Sequence, residues 1–445
     1  MASNIPARCG WVRVPVDWAH PQGPQRSLAV VVMPSKASTR AAPLFYLAGF
    51  GGSATGDIGW AAQVFQVLNL THDLVFVDQR GTGHSDSHTC PAVTGTTSLA
   101  DPASVRAWVH RCLAGAKDDP RHDTTASAVQ DLERVRTALG YGKISLYGAS
   151  YGVTMGLAYL QRYGDHVESA VLDSGSLLNV RLWQIGPTSA QQAFDQVAQR
   201  CQADPACAAA YQPEADLKTV IANLRSHPVT VSAPIGPGGK QQTVTIDLNA
   251  FLNLVTDGYL SSATTAALLP EDLHAAAQGQ WASLVQKRAS ELTATEQANG
   301  SLTAQQITLI CSDEWAAMDP TQVSAQTSSV FTPEYVNNAD VHNAICAQWP
   351  HDSGVSGTVT TDAQVLFLNG TADPNDPPAN VAAAPTTMPN ALMISIPGGG
   401  HGVMIQTHCV WNDAMSFLVS GVSTSGAWST CLSTVPVSLP PFAVG

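Results

Sequence analysis

Ile144-Ser145-Leu146-Tyr147-Gly148-Ala149-Ser150-Tyr151-Gly152-Val153 joins an apolar run to a segment, Val153–Tyr163, that is apolar nearly all round. The run reads as a strand and the segment as a buried helix, with Gly148-Ala149-Ser150-Tyr151-Gly152 as the turn between them. A turn this tight forces its middle residue into a strained backbone conformation, so its flanks must be small. Gly148 and Gly152 supply that room. Ser150 Oγ is then expected to project beyond the end of the sheet, beside a helix N-terminus with partial positive charge. Strand, turn and helix in this order separate the G-x-S-x-G from a chance match in a chain with 35 glycines.

Outward from this turn, short apolar runs recur. Trp11–Val16 and Leu28–Met33 lie close together, as in an antiparallel hairpin, and Leu44–Leu47, Leu74–Val77 and Val167–Leu172 follow. Ala126–Leu139 places Val129, Leu132, Val135 and Leu139 on one helical face. After Asp173-Ser174-Gly175 the texture changes to Ala/Gln-rich helical sequence with one hairpin-like stretch, Val229–Ile246, around Gly236-Pro237-Gly238-Gly239. Strand texture resumes at Val365–Leu368 and Leu392–Ile396, followed by the apolar Met415–Val419 and a Pro-rich tail, Val435–Gly445. The expected fold is α/β, a mostly parallel sheet flanked by helices, interrupted by a mainly helical insertion. The expected divisions are 1–184 for the first part of the core, 185–355 for the inserted cap and 356–445 for the second part of the core. No fixed-period repeat is apparent.

A serine hydroxyl is a weak nucleophile and needs a histidine to take its proton and a carboxylate to hold the imidazole. In this strand–turn–helix setting the chain order is serine, acid, histidine. Gly370-Thr371-Ala372-Asp373-Pro374 follows one late strand and Gly398-Gly399-Gly400-His401-Gly402 the next. Both loops leave strand ends, where open sheets place active sites. The expected triad is Ser150, Asp373 and His401, with Asp376 the rival acid three residues on. Acyl transfer also needs backbone donors for a developing oxyanion. Tyr151 N–H is one candidate, and Phe50 N–H in Ala48-Gly49-Phe50-Gly51-Gly52-Ser53 is the other. That Gly-rich loop, which also reads as a plain turn, lacks the lysine of a phosphate cradle. His84-x-Asp86-x-His88 has ligand-type residues but no third histidine, and no metal site is expected there.

Composition narrows the field. The 445 residues carry 21 Lys+Arg against 34 Asp+Glu, a formal charge of −13. That excess opposes binding to nucleic-acid backbones or anionic membranes. Charged residues are only 12% and hydrophobic ones 44%, which argues for a large core and against disorder. The apolar runs are strand-sized, so membrane insertion is not expected. Nine cysteines fall as Cys9 and four neighbouring couples: Cys90 with Cys112, Cys201 with Cys207, Cys311 with Cys346, and Cys409 with Cys431. None has Cys-x-x-Cys spacing. Four local disulfides with Cys9 left over imply an oxidising, extracytoplasmic compartment, and a reduced cytosolic chain is the competing reading. The first residues, Met1-Ala2-Ser3-Asn4, do not read as a signal peptide.

Taken together these segments resemble the proline iminopeptidase and tripeptidyl aminopeptidase branch of the α/β-hydrolases, particularly its secreted bacterial members. The resemblance is carried by Cys9-Gly10 through Val14-Pro15-Val16-Asp17, Asp78-Gln79-Arg80-Gly81-Thr82-Gly83-His84-Ser85 and Asp131-Leu132-Glu133-Arg134-Val135-Arg136. It continues through Leu146–Gly152, Cys311, Cys346-Ala347-Gln348-Trp349-Pro350, Gly370-x-x-Asp373-Pro374-x-x-Pro377 and Gly400-His401-Gly402. It implies an α/β-hydrolase fold, the triad named above, a helical cap over the site and no cofactor. It further implies a secreted aminopeptidase that releases short N-terminal fragments from peptides through an acyl-enzyme. Relatives usually have Gly-Gly-Pro-Gly in the oxyanion loop, where this chain has Gly49-Phe50-Gly51-Gly52, and the Phe50 ring bears on substrate choice. Such aminopeptidases hold the substrate's ammonium with cap carboxylates, for which Asp313 and Glu314 are candidates, although solvated acids opening a helix read the same way. A carboxylesterase or lipase with the same triad is the alternative, and a non-catalytic binding module on the same scaffold is a remote one. The partner is thus a peptide or small ester, and a monomer is favoured, with the oligomeric state left open by the sequence.

Overall fold

The computed structural model describes residues 6–37, 41–91, 102–235, 240–287, 302–406, 408–420 and 439–444. Ten strands are present among them: β1 Arg8–Pro15, β2 Gln25–Met33, β3 Leu44–Leu47, β4 Leu74–Val77, β5 Ile144–Ala149, β6 Val167–Asp173, β7 Val229–Ile235, β8 Lys240–Ile246, β9 Gln364–Gly370 and β10 Ala391–Ile396. Eight form one sheet in the order β1-β2-β4-β3-β5-β6-β9-β10, and β7 pairs only with β8. β1–β2 and β2–β4 are antiparallel, while β4–β3, β3–β5, β5–β6, β6–β9 and β9–β10 are all parallel. This is an α/β-hydrolase fold, as the sequence led us to expect. Parallel pairing brings the loops after β3, β5, β6, β9 and β10 to one rim, because parallel strands end on the same side.

Period-2 alternation sorts the strands onto two apolar layers. Ile144 and Leu146, Ala170 and Leu172, Val365 and Phe367 bury against one layer, to which the helices Thr125–Ala138 and Tyr151–Tyr163 contribute Val129, Leu132, Val135, Val153 and Leu157. Tyr147, Val171, Leu366 and Leu368 face the other, with Phe65, Phe76 and the helix His408–Ser420. Leu139, expected on the buried face of its helix, lies one residue past the helix end and is 36% exposed. The chain turns there toward Gly140, which has φ +73° and caps the helix in the left-handed region.

Between β6 and β9 the chain leaves the sheet for helices running from Leu182–Ala203 to Thr332–Cys346, around a separate core that includes Phe194, Phe251, Leu273 and Phe331. The β7–β8 hairpin belongs to this segment, with its expected turn Gly236–Gly239 outside the described residues. Disulfides join Cys90 to Cys112, Cys201 to Cys207 and Cys311 to Cys346. Cys9 is free and exposed. The fourth expected couple includes Cys431, which lies outside the described residues, as does most of the Pro-rich tail.

Candidate active site

Ser150 closes β5 with φ +57° and ψ −125°, a conformation that costs a non-glycine residue energy and persists only when its surroundings over-determine it. The surroundings do. A Cβ on Gly148 would run into the carbonyl of Gly152, and one on Gly152 into the carbonyl of Leu47 in β3. The two glycines thus let the helix Tyr151–Tyr163 start directly against the strands. Ser150 N–H donates to Asp173 O at 3.0 Å, tying the turn to the end of β6. Tyr151 is the first helical residue, so its N–H has no intrahelical acceptor and is free to meet an anion.

The Asp373 and His401 loops are stitched together by backbone bonds: Thr371 N–H to Ile396 O at 3.0 Å and Ala372 N–H to Gly399 O at 2.9 Å. Gly370 is required here, since a Cβ would strike the carbonyls of Gly399 and Gly400. His401 Nδ1 lies 2.9 Å from Asp373 Oδ2 and 3.8 Å from Asp376 Oδ2. Asp373 Oδ1 accepts from the N–H groups of Asn375 and Asp376 at 2.9 and 3.0 Å, while Asp376 Oδ1 accepts from Ser176 Oγ at 2.6 Å. The structure therefore brings Asp373 and His401 into direct contact, with Asp376 directed at Ser176.

Charge in this cluster follows from burial and proximity. Burial works against an imidazolium at His401, but Asp373, and behind it Asp376 and Asp173, outweigh it and push its pKa up to about 10. Burial raises Asp376, and the neighbouring Asp373 charge raises it further. Ser150 and His401 line one cavity of about 190 Å³. Among the described residues none is hydrogen-bonded to Ser150 Oγ.

A second cavity of about 190 Å³ also reaches Ser150 and shares Leu182, Trp183 and Asp376 with the first, and is lined further by Phe50, Tyr151, Leu309, Asp313 and Glu314. Phe50 is 41% exposed, and its ring meets that of Tyr151 edge-on at 6.2 Å. The structure thus brings both expected oxyanion residues and both expected ammonium carboxylates to the serine's side. The two acids differ in use. Asp313 Oδ2 accepts from Thr125 Oγ1 at 2.5 Å and Oδ1 from Val355 N–H at 2.9 Å, and Thr125 Oγ1 is 2.7 Å from Tyr151 Oη. Glu314 Oε2 accepts only a 3.3 Å bond from Leu182 N–H. Burial raises Asp313 to about 6 and Glu314 to about 7, with Arg181 holding both down in part.

Several residues that matter here escaped the sequence reading. Asp173, read only as a change of texture, accepts from Val403 and Met404 N–H at 2.8 and 3.1 Å, and Ser174 Oγ accepts from Gly402 N–H at 2.8 Å. Two polar residues ending an apolar strand were the available signal. Asp78 of the Asp-Gln-Arg-Gly motif accepts from Ser53 Oγ, Thr55 N–H, Thr55 Oγ1 and His84 N–H at 2.7–2.8 Å, fixing the loop that carries Phe50. Arg80 is fully buried in a two-pronged pair with Asp131 at 2.7 and 2.6 Å, which explains why both belong to the motif set. His88 Nε2 bonds to Cys112 O and Asp86 pairs with Lys117, both at 2.8 Å.

Comparison with known proteins agrees with the fold. A family model described as the alpha/beta hydrolase fold matches residues 42–407. The tripeptidyl aminopeptidase of Streptomyces coelicolor is 32% identical over 189 residues, covering 38% of this chain and 35% of the relative. The serine protease Hip1 of Mycobacterium tuberculosis is 30% identical over 192 residues, covering 38% and 35%. Carboxylesterase B of Mycobacterium tuberculosis is 35% identical over 228 residues, covering 45% and 43%. The matched stretches span less than half the length of each relative.

Proposed function

The chain belongs to the α/β-hydrolase family, and from that membership we propose a serine hydrolase that works through an acyl-enzyme, with peptides bearing a free N-terminus as its substrates. The observation that carries the reading is the union, at one rim, of a strained serine, a carboxylate-held imidazole and two cavities meeting at that serine. His401 takes the Ser150 proton as Oγ attacks the carbonyl carbon, and Asp373 stabilises the imidazolium that forms. The developing oxyanion is met by the N–H groups of Tyr151 and Phe50. The tetrahedral intermediate collapses as His401 returns the proton to the leaving nitrogen, and water, deprotonated by the same imidazole, releases the acyl group. Ser150 and His401 are brought into hydrogen-bond contact by substrate, since catalytic bonds tighten in the complex.

The peptidase reading rests on Glu314. Its carboxyl is poorly satisfied in the Tyr151-side cavity, where an α-ammonium would supply the missing donors, with Asp313 adding negative potential from behind. The match to a tripeptidyl aminopeptidase supports it, and the disulfides support an extracytoplasmic location. We take residues 185–355 as the cap that covers the site. The test compares aminoacyl and tripeptidyl arylamides, free and N-acetylated, with short-chain acyl esters. Cleavage of free amides that acetylation abolishes is the expected result. Turnover of esters with none of amides would instead assign the carboxylesterase function that the match to carboxylesterase B favours.

A further inference from the structure

We propose that the cavity lined by His401 is a leaving-group subsite selective for positive charge, built by Glu334 and Asp257, so that the enzyme prefers to cleave before a lysine or arginine. The inference rests on the serine acyl-transfer reading above and adds a specificity on the other side of the scissile bond.

The two cavities share Ser150 but divide the machinery. Phe50 and Tyr151 line one, and His401 lines the other. The leaving atom must receive its proton from the imidazole, so the leaving group departs on the His401 side and the acyl portion lies toward the oxyanion donors. That assigns the His401-side cavity to the residues after the bond that breaks.

This cavity is acidic. Asp257, Glu334 and Asp376 line it together with Asn253, Asn338 and Asn375, and no lysine or arginine among the described residues does. Glu334 is 3% exposed, and its Oε1 accepts a 3.3 Å bond from Thr256 Oγ1. Among the described residues its Oε2 has no hydrogen-bond partner. A buried carboxyl oxygen left unpaired is costly, and such groups call for an explanation beyond packing. Burial holds its carboxyl well above the usual range, and the neighbouring Asp257 raises it further. A cation would relieve both. Asp257 sits in the π-helical turn Leu254–Leu260, and the next residue, Ser261, accepts from His401 N–H at 2.8 Å. The turn that brings Asp257 is therefore fixed to the backbone of the residue that protonates the leaving group.

The experiment measures kcat/KM for peptides with one acyl part and a leaving residue that is arginine or its uncharged isostere citrulline, lysine or norleucine. The expected result is a preference of about tenfold or more for each charged member. That preference should collapse in Glu334→Gln and weaken in Asp257→Asn. An ester pair, an acylcholine and its neutral 3,3-dimethylbutyl isostere, makes the same comparison in an enzyme that cleaves no amide. Peptide cleavage failing while the ester pair still discriminates would overturn the peptidase reading alone. Equal rates within each pair in the unmodified enzyme would overturn the subsite. So would a charge preference that both substitutions leave intact.

Discussion

The rim of the sheet and the helical segment between β6 and β9 contribute to one site by different means. At the rim, positions are fixed by backbone. Ser150 is held at positive φ by glycines on either side, and Asp173 grips the His401 loop through two N–H groups. In the helical segment, the half-buried Glu314 and the buried Glu334 reach the cavities with few hydrogen bonds of their own. The rim is rigid where bonds are made and broken, and the helical segment is under-satisfied where a ligand can complete it. On the function proposed above, chemistry and selection are divided between two parts of the fold, and a scaffold so divided can host both peptidases and esterases.

That division is broken most directly at the nucleophile. Ser150→Ala is expected to abolish turnover, by about 10⁴ or more in kcat, with unfolding behaviour retained. Residual activity within about tenfold of the parent would remove the serine from its role. Next, Asp373→Asn should cost on the order of 10⁴ in kcat through loss of imidazole orientation, with a far smaller loss in Asp376→Asn. A reversed order would exchange the two acids. The same pair of variants sharpens the electrostatic side. His401 must be neutral to accept a proton, and its raised pKa means that kcat/KM for an acyl ester, which carries no titrating amine, climbs with pH toward about 10. Removing the Asp373 charge lowers that pKa, so the acid limb of the pH profile should move to lower pH even as its plateau falls. A limb that stays in place would show that another group titrates.

A change in the helical segment should act on binding instead. Glu314→Gln is expected to raise KM for free-amine substrates by about tenfold and to leave their kcat nearly unchanged. Because Glu314 titrates near 7, the KM of the parent should fall as pH rises through that value. A loss confined to kcat, with KM unchanged, would place Glu314 in the scaffold. The smallest effect belongs to Asp313, whose oxygens are already occupied by Thr125 and Val355. Asp313→Asn should lower kcat modestly through Tyr151 and leave KM nearly unchanged. A KM increase matching that of Glu314→Gln would make it a direct ligand of the ammonium.

Much of the rim was legible in the linear order because short-range rules govern it. An apolar run, a turn that only glycine permits and a following helix are local events, and Leu44–Leu47 and Leu74–Val77 coincide with β3 and β4 to the residue. The glycines around His401 likewise announce a loop that must approach another backbone. The acidic wall of the His401-side cavity was not legible. Asp257 and Glu334 sit in unremarkable helical sequence, and nothing within a few positions of them signals a partner.

The sequence by itself determined the fold class, the tight turn at Ser150 and the loops bearing Asp373 and His401, because each follows from periodicity and backbone sterics over a few residues. Only the tertiary structure decided that His401 leans on Asp373 with Asp376 turned to Ser176, and that Asp313 is satisfied while Glu334 Oε2 has no partner among the described residues. Hydrogen-bond satisfaction and desolvation depend on which distant segments pack together, and no local stretch of chain carries that information.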